Sequence, residues 1–158
     1  MKSYILIITL FLLYFKDSRA QTVSELTQIA QTKSINSVET ILSGYGYSYD
    51  GTETMVIEGV IHNLITFKSG NNMVMIYKNK DNWLSVQLLT YDQSKFNSLK
   101  QGIENLGGNL VDEKVYGESY TRYFVYENFM YSFNISPSKE LTNKKMFTVT
   151  IGNLDNYR

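Results

Sequence analysis

The sequence predicts an α+β protein made of two tandem repeats, each a helix followed by a three- or four-stranded antiparallel meander, with the helices on one face of the sheet. Three observations lead to this fold class. Apolar residues recur at helical spacing in three short segments and alternate with polar residues in several others. The alternating segments are joined by connections too short for crossover helices, except at residues 92–108, which favours antiparallel pairing. The order of the segments is also similar in the two halves.

The first 20 residues have the features of an export signal. Lys2 gives a basic start, residues 4–15 form a largely apolar run of 12, and Ser18-Arg19-Ala20 is a small-x-small cleavage site. The run is shorter than the ~20 apolar residues that a membrane-spanning helix needs. We therefore expect a mature chain of residues 21–158 that forms one domain and is exported to the periplasm or the medium. No cysteine follows the signal, so we expect no lipid anchor.

Charge and composition argue against several classes of function. Removal of three basic residues and one acidic residue with the signal leaves 12 Lys+Arg against 14 Asp+Glu, which argues against a polybasic binder of nucleic acid or of anionic lipid. The chain has no cysteine and a single histidine, so a structural zinc site cannot be assembled. An exported chain of this size without disulfides is typical of the bacterial envelope, and we expect no metal and no cofactor.

Three segments carry helix signals. Residues 22–25 form a capping box followed by apolar residues at helical spacing, and residues 36–39 form a second box that opens a shorter helix. The intervening residues 32–34 shift the apolar phase, so we predict two helices here. The third helix begins after the N-cap Asp92 and ends at Gly107-Gly108. The core residues expected from the second and third helices are Val38, Ile41, Leu42, Phe96, Leu99, Ile103 and Leu106.

From residue 45 onward the pattern changes to a period of two. Asp50 to Glu53 is interpreted as a turn between two strands because Asp-Gly is a strong turn signal, and Gly59 as a bend within one strand. The predicted strands occupy residues 45–49, 54–57, 61–67, 73–78, 83–90, 109–116, 119–127, 129–135 and 145–152.

The two halves of this pattern correspond at nearly constant spacings. The first spacing is 62 residues, the second is 57 and the third is 63, which implies loops of different length between the matched segments. We predict repeats at about residues 35–90 and 93–152. The matched positions are Ile41 and Gly46 with Ile103 and Gly108, residues 73–76 with 130–133, and residues 83–88 with 146–151.

In layout, the two repeats resemble the tandem helix-plus-meander arrangement of the beta-lactamase inhibitory proteins, whose two repeats form one concave sheet surface that grips an enzyme. The resemblance covers topology only. It assigns no residue, since the chain shares no motif with that family and lacks its disulfides. What it implies is a binding surface on the sheet.

The pleat of the strands separates an expected core face from a helix-free face, because successive side chains alternate. Apolar residues at matched positions are expected to face the helices, and the residues between them to face away. If Arg122 marks the outward side of its strand, Phe124 and Tyr126 join the second group. The expected core-face residues are Val74, Ile76, Leu84, Val86, Leu88, Tyr131, Phe133, Phe147, Val149 and Ile151.

The helix-free face allows two interpretations. Met and aromatic residues are favoured in strands, and one wrong register would place several of them in the core. Trp, Tyr, Met and Arg are also the residue types enriched at partner-binding patches. The aromatic-rich residues 116–133 likewise allow core packing or a ring-stacking groove. The partner-binding hypothesis concerns Trp83, Tyr77, Arg122, Phe124, Tyr126, Met73, Met75, Met130 and Met146.

Catalytic chemistry has little support in the sequence. A general base would have to be His62, which lies in an apolar extended stretch, and Asp112 and Glu113 are adjacent on a predicted strand, so they point to opposite faces. We therefore expect an exported, non-catalytic binding or inhibitory module that recognises a protein or peptide, or a second copy of itself, through the helix-free face. The alternatives are a small envelope hydrolase or isomerase that uses His62 with a carboxylate, and a self-associating scaffold.

Overall fold

The computed structural model describes residues 22–32, 34–57, 59–79 and 83–154, and for Ile57, Trp83 and Leu84 it describes the backbone only. The predicted signal peptide lies outside the described residues. Within them the fold is α+β, with three helices and one eight-stranded antiparallel sheet, which confirms the predicted class. None of these three helices is long and apolar enough to cross a membrane.

The first two helices begin at side-chain caps. Helix α1 spans Val23–Gln31, and its capping box is complete, since the Thr22 side chain accepts from the Glu25 N–H while the Glu25 carboxylate accepts from the Thr22 N–H at 2.8 Å. Helix α2 spans Ile35–Ser43, so the predicted break between two helices is confirmed. The predicted cap of α2 at Asn36 is wrong. Ser34 supplies the cap by accepting from the Ser37 N–H, which places Asn36 in the first turn.

Helix α3 spans Gln93–Asn105 and begins at the predicted N-cap, where the Asp92 carboxylate accepts from the N–H groups of Ser94 and Lys95. Helices α2 and α3 end in the same way. The Tyr47 N–H donates to the Leu42 carbonyl at 3.0 Å, and the Gly108 N–H donates to the Ile103 carbonyl at 2.9 Å. Gly46 and Gly107 in these turns have φ of +77° and +85°, a region that favours glycine. Both helix ends are therefore Schellman motifs.

Eight strands form the sheet in the order β1-β2-β3-β4-β8-β7-β6-β5, with every neighbouring pair antiparallel. Each half of the chain therefore contributes a four-stranded meander, and β4 meets β8 at the centre. In that central pair Val86 lies opposite Ile151 and Leu88 lies opposite Val149. The strands are β1 Ser48–Ile57, β2 Val60–Ser69, β3 Asn72–Asn79, β4 Trp83–Thr90, β5 Asn109–Tyr116, β6 Ser119–Tyr126, β7 Phe129–Pro137 and β8 Lys145–Asn153.

The prediction for the first hairpin is wrong in two places. Residues 50–53 are not a turn, because β1 runs through them and Asp50 is an extra residue in its ladder with β2, between the pairs Tyr49 with Phe67 and Gly51 with Thr66. The turn lies at Gly59, which has a φ of +79° and is not a bend within one strand. Asp-Gly fits a bulge as well as a turn, and the pairing with β2 decides between them.

The helices contact the sheet through one hydrophobic core. The Phe96 ring of α3 packs against Phe133 at 5.7 Å and Phe147 at 5.1 Å between ring centroids, and the Thr27 hydroxyl of α1 lies 3.0 Å from the Tyr131 hydroxyl. We call the face of the sheet that carries these residues the core face, and the face with the alternating side chains the second face. The predicted core residues Val74, Ile76, Val86, Leu88, Tyr131, Phe133, Phe147, Val149 and Ile151 are all buried.

The predicted helix core is confirmed except at its ends. Val38, Leu42, Phe96, Leu99 and Ile103 are buried, and Ile41 is half-buried. Leu106 is 47% exposed, so its assignment to the core is wrong. Leu106 is the C-cap of α3, where the backbone leaves the helix, so the spacing counted from Ile103 no longer predicts which way its side chain points.

A matched pair of substitutions tests this boundary of the core. Ile103→Ala should lower the free energy of unfolding by about 2–5 kcal/mol, because the side chain is fully buried and its loss leaves a cavity. Leu106→Ala should lower it by less than about 1 kcal/mol, because that side chain is half in solvent. Urea unfolding of both variants measures the difference, and equal losses would contradict the placement of Leu106.

Candidate binding surface

Strand β3 carries three of the predicted binding residues on the second face. Met73, Met75 and Tyr77 alternate with Val74 and Ile76, which are buried in the core. Each of the three is half-buried. The prediction that these residues face away from the core is therefore confirmed.

The registers of the neighbouring strands add two leucines to this cluster. Leu64 of β2 lies opposite Tyr77, and Leu89 of β4 lies opposite Met73. Both are half-buried. The sequence reasoning missed them because each stands beside another large apolar residue, so its own face cannot be assigned before the register is known. We call Leu64, Met73, Met75, Tyr77 and Leu89 together the β3 patch.

The β3 patch is bordered by polar side chains of the same face. Lys68 lies opposite Met73 on β2, Thr66 and Gln87 flank Met75, and Ser85 lies opposite Tyr77 on β4. Across the central pair, the face continues with the polar residues Thr148 and Thr150 of β8 and Ser132 and Asn134 of β7. The second face therefore has an apolar area on one half and a polar strip along the middle of the sheet.

The remaining predicted methionines lie on or beside this face but apart from each other. Met130 of β7 lies opposite Gly152 and Val125, three strands away from β3. Met146, at the start of β8, lines a cleft together with Met73. Only Met146 therefore extends the β3 patch.

The cleft at the end of the β3 patch has a volume of about 450 Å³. Its apolar lining is Met73, Leu89, Leu141 and Met146, and the Tyr91 ring lines it as well. The Tyr91 hydroxyl is 3.4 Å from Glu140 Oε2 and 3.5 Å from Ser138 Oγ. These contacts tie the strand end to the loop between β7 and β8. The other lining residues are Lys68, Gly70, Asn71, Asn72, Lys139 and Glu140.

The predicted outward placement of three β6 residues is wrong. Arg122 pairs with Phe133, Phe124 with Tyr131 and Tyr126 with Phe129, and directly opposed residues share a face, so all three belong to the core face. Phe124 is 3% exposed, and its ring packs edge-on against Phe133 with centroids 5.7 Å apart.

The predicted orientation of β6 was wrong because it assumed that the charged Arg122 points away from the core. Its side chain lies on the core face, near the end of the core. Its Nε is 2.7 Å from Glu113 Oε1 on the edge strand, and it donates to the Tyr120 hydroxyl at 2.7 Å. On an outer strand a charged residue can share the face of the core because its head group reaches solvent. Charge alone therefore does not indicate the outward side of β6.

Trp83 begins β4, but its side chain lies outside the described residues. The register between β3 and β4 shifts between Tyr77, paired with Ser85, and Lys78, paired with Trp83. The alternation counted from Val86 therefore does not extend to Trp83, and its predicted place on the second face stays a prediction.

His62, the residue considered as a general base, does not line the cleft at Met73. It lies on β2 between Met55 and Asn79, and it is also absent from the lining of a second cleft formed by Tyr120, Ile135 and Pro137. Asp112 pairs with Tyr123 and Glu113 with Arg122, so the two carboxylates point to opposite faces. In residues 22–32, 34–57, 59–79 and 83–154, no group of three or more His, Asp or Glu side chains could hold a metal ion.

No protein-family model, curated protein or solved structure matches the chain.

A partly buried polar contact joins α3 to the chain just before β1. Lys95 Nζ donates to the Tyr47 hydroxyl at 3.0 Å, and Tyr47 is 5% exposed. Burial raises the pKa of Tyr47 to about 12, because the phenolate would lose its hydration. Burial also lowers the pKa of Lys95, and the nearby Asp92 carboxylate opposes that shift. The contact lies on the helix side of the molecule and not on the β3 patch.

The raised pKa of Tyr47 predicts a loss of stability at alkaline pH. Between pH 10 and about 12 this tyrosine ionises in the unfolded chain but stays protonated in the folded protein, so folding stability falls as pH rises. Between pH 9 and 11 Tyr47 should account for a loss of about 1 kcal/mol, which Tyr47→Phe should abolish. Urea unfolding at the two pH values measures it. Tyr49→Phe, which changes a tyrosine that is 51% exposed, should behave as wild type, and a Tyr47→Phe protein with the full loss would contradict the assignment.

Proposed function

We propose that this chain is an exported, non-catalytic binding or inhibitory module of two tandem repeats that recognises a protein or peptide through the second face of its sheet. The observation that carries the proposal is the β3 patch. Five large apolar side chains lie side by side on the face opposite to the one that Phe96 and Thr27 contact. The repeats and the coverage of the sheet support it, as follows.

Equivalent helix ends support the tandem repeat. The Schellman turns of α2 and α3 place Leu42 in the role of Ile103, and Gly46 in the role of Gly107, each 61 residues on. Leu42 and Ile103 are both fully buried. The spacing predicted from the sequence was 62 residues because it matched Gly46 with Gly108. The helix ends match Gly46 with Gly107, which gives a spacing of 61.

Equivalent irregularities in the strands support the repeat independently. The first strand of each meander carries a bulge near its start. The extra residue is Asp50 in β1 and Val111 in β5, and these are again 61 residues apart. The turn between the second and third strands of each meander also has a positive φ at its first residue, +56° at Gly70 and +51° at Glu127. Bulges and such turns are specific features of a fold, so their recurrence favours duplication of one unit.

The central register supports a pseudo-two-fold relation between the two proposed repeats. The spacing of 63 matches Gln87 with Thr150, and these two residues are themselves paired across β4 and β8. Their neighbours then exchange partners symmetrically, Val86 with Ile151 and Leu88 with Val149. We infer that the axis passes through the Gln87–Thr150 pair, so the second face is one continuous surface to which both repeats contribute.

The placement of the helices supports the use of the second face for binding. Contacts of α1 and α3 with the sheet go to Tyr131, Phe133 and Phe147, all on the core face. We propose that all three helices cover this face and leave the other one free. Side chains such as those of the β3 patch gain ~25 cal/mol per Å² of apolar area on burial, so an uncovered patch favours association.

The border of the β3 patch favours a protein or peptide as the partner. An apolar centre with a polar rim is the usual anatomy of a protein interface, and Lys68, Thr66, Gln87 and Ser85 form such a rim. The cleft at Met73 and Met146 adds a recess in which a side chain of the partner could be buried.

A charge placed at the centre of the patch tests the proposal. Met75→Lys should reduce recovery of the partner from the producing cells' envelope or medium by about tenfold or more, because a cation would be buried in an apolar interface. The measurement is an affinity pull-down quantified by mass spectrometry. The free energy of unfolding should change by no more than about 1 kcal/mol, since Met75 does not belong to the core.

The matched control is Val56→Lys. Val56 is also a strand residue with an apolar side chain, but it is 68% exposed and lies on the β1–β2 hairpin away from the patch. This variant should recover the same proteins as wild type. Equal recovery by wild type and Met75→Lys, with both folded, would contradict recognition through the β3 patch.

Export is tested separately by the mass of the secreted protein. Cleavage at the predicted signal should leave Gln21 at the N-terminus, because Ser18 and Ala20 provide the small side chains that signal peptidases accept. Intact-mass measurement of the protein made by the producing cells reads the cleavage point. A protein that retains Met1 would contradict the localisation.

A further inference from the structure

Strand β5 is an edge of the sheet that nothing in the described residues covers. All eight of its residues are exposed, although the strand pairs with β6 on both sides of a bulge at Val111. Leu110 is 49% exposed, Val111 54%, Val115 69% and Tyr116 66%. An edge strand presents a row of unpaired backbone N–H and C=O groups, so a long exposed edge with apolar side chains is a template for pairing with another strand.

The order of charged side chains in the middle of β5 is self-complementary. Reading outward from Glu113, one direction gives Asp112, Val111 and Leu110, and the other gives Lys114, Val115 and Tyr116. When two copies of this strand pair antiparallel about Glu113, Asp112 of each copy lies opposite Lys114 of the other. Val111 is the extra residue of the bulge, and Leu110 pairs with Phe124 on the core face while Tyr116 pairs with Ser119 on the second face, so the complementary order covers residues 112–114. Opposite charges directly across two paired strands stabilise a sheet.

We propose that two copies of this protein associate through β5 in this antiparallel register and form one continuous sheet across the dimer. The surface is separate from the β3 patch, so the proposal does not depend on the proposed function. The occupant is a second copy because the opposite charges of Asp112 and Lys114 complement each other when the strand is paired with itself in reverse.

The charges at the centre are compatible with this pairing. Lys114 Nζ lies 3.3 Å from Asp112 Oδ2 on the same strand, and the side chains are 44% and 48% exposed, so each can exchange this partner for the one across the interface. The two Glu113 side chains would meet at the axis as like charges. Each already lies 2.7 Å from the Arg122 Nε of its own chain, which compensates its charge.

The other edge of the sheet favours a closed dimer over a filament. Strand β1 lacks the self-complementary order: pairing about Glu53 would place Asp50 opposite Val56 and Gly51 opposite Met55. Asp50 is also engaged with Lys68 at 2.7 Å. Pairing of β5 with β5 uses the same surface on both copies, so it closes after two chains. It also keeps the second faces of both copies on the same side of the joined sheet.

Charge reversal with complementation tests the register. In Asp112→Lys, position 112 becomes positive and meets the positive Lys114 of the other copy, and in Lys114→Asp, position 114 becomes negative and meets Asp112. Each variant alone should show a dimer dissociation constant about tenfold or more above that of wild type. An equimolar mixture of the two variants should associate again, because both pairs between positions 112 and 114 are then of opposite charge.

Sedimentation equilibrium of the mature chain and of each variant gives the masses, and circular dichroism confirms that the variants are folded. Glu53→Lys on the opposite edge is the control and should associate as wild type does. A wild type that remains monomeric at its highest soluble concentration would overturn the proposal. So would a dimer that neither single variant weakens, or a mixture of the two variants that fails to associate.

Discussion

The antiparallel pairing of β4 with β8 is the interaction on which the rest of the structure depends. Each half of the chain makes a four-stranded meander, and this one ladder joins the two into a single sheet. Its register places Val86 opposite Ile151 and Leu88 opposite Val149, all buried. Helix α1 contacts both of these central strands, so the core has its centre at the junction of the two meanders. A slip of one residue would move this whole set to the other face.

The same register determines what the second face contains. Because side chains alternate strictly within β3, burying Val74 and Ile76 forces Met73, Met75 and Tyr77 to the other side, and pairing with β2 and β4 brings Leu64 and Leu89 beside them. The apolar patch is therefore a direct consequence of core packing plus register. The patch lies next to a cleft of about 450 Å³, which Met73 and Leu89 line.

The two edges of the sheet illustrate how local irregularities limit pairing and direct it. Bulges in β1 and β5 disturb each outer strand near its start, and charged residues lie in the middle of both, which are the usual means of discouraging unwanted edge pairing. In β5 the residues on either side of Glu113 have opposite charges, which in the proposed dimer favour one register.

The sequence by itself determined the fold class, the capping box at Thr22, the N-cap at Asp92 and the core of the central strands, because these depend on local hydrogen bonds and on strict periodicity. It also placed Met73, Met75 and Tyr77 correctly, since their strand alternates without interruption. Tertiary structure alone decided where a bulge replaced a turn at Asp50, where α2 begins, and that Leu106 lies in solvent. It alone also decided the face of Arg122, Phe124 and Tyr126. At these positions the local signal fits two conformations or two faces equally well, and only pairing with residues distant in the chain separates them.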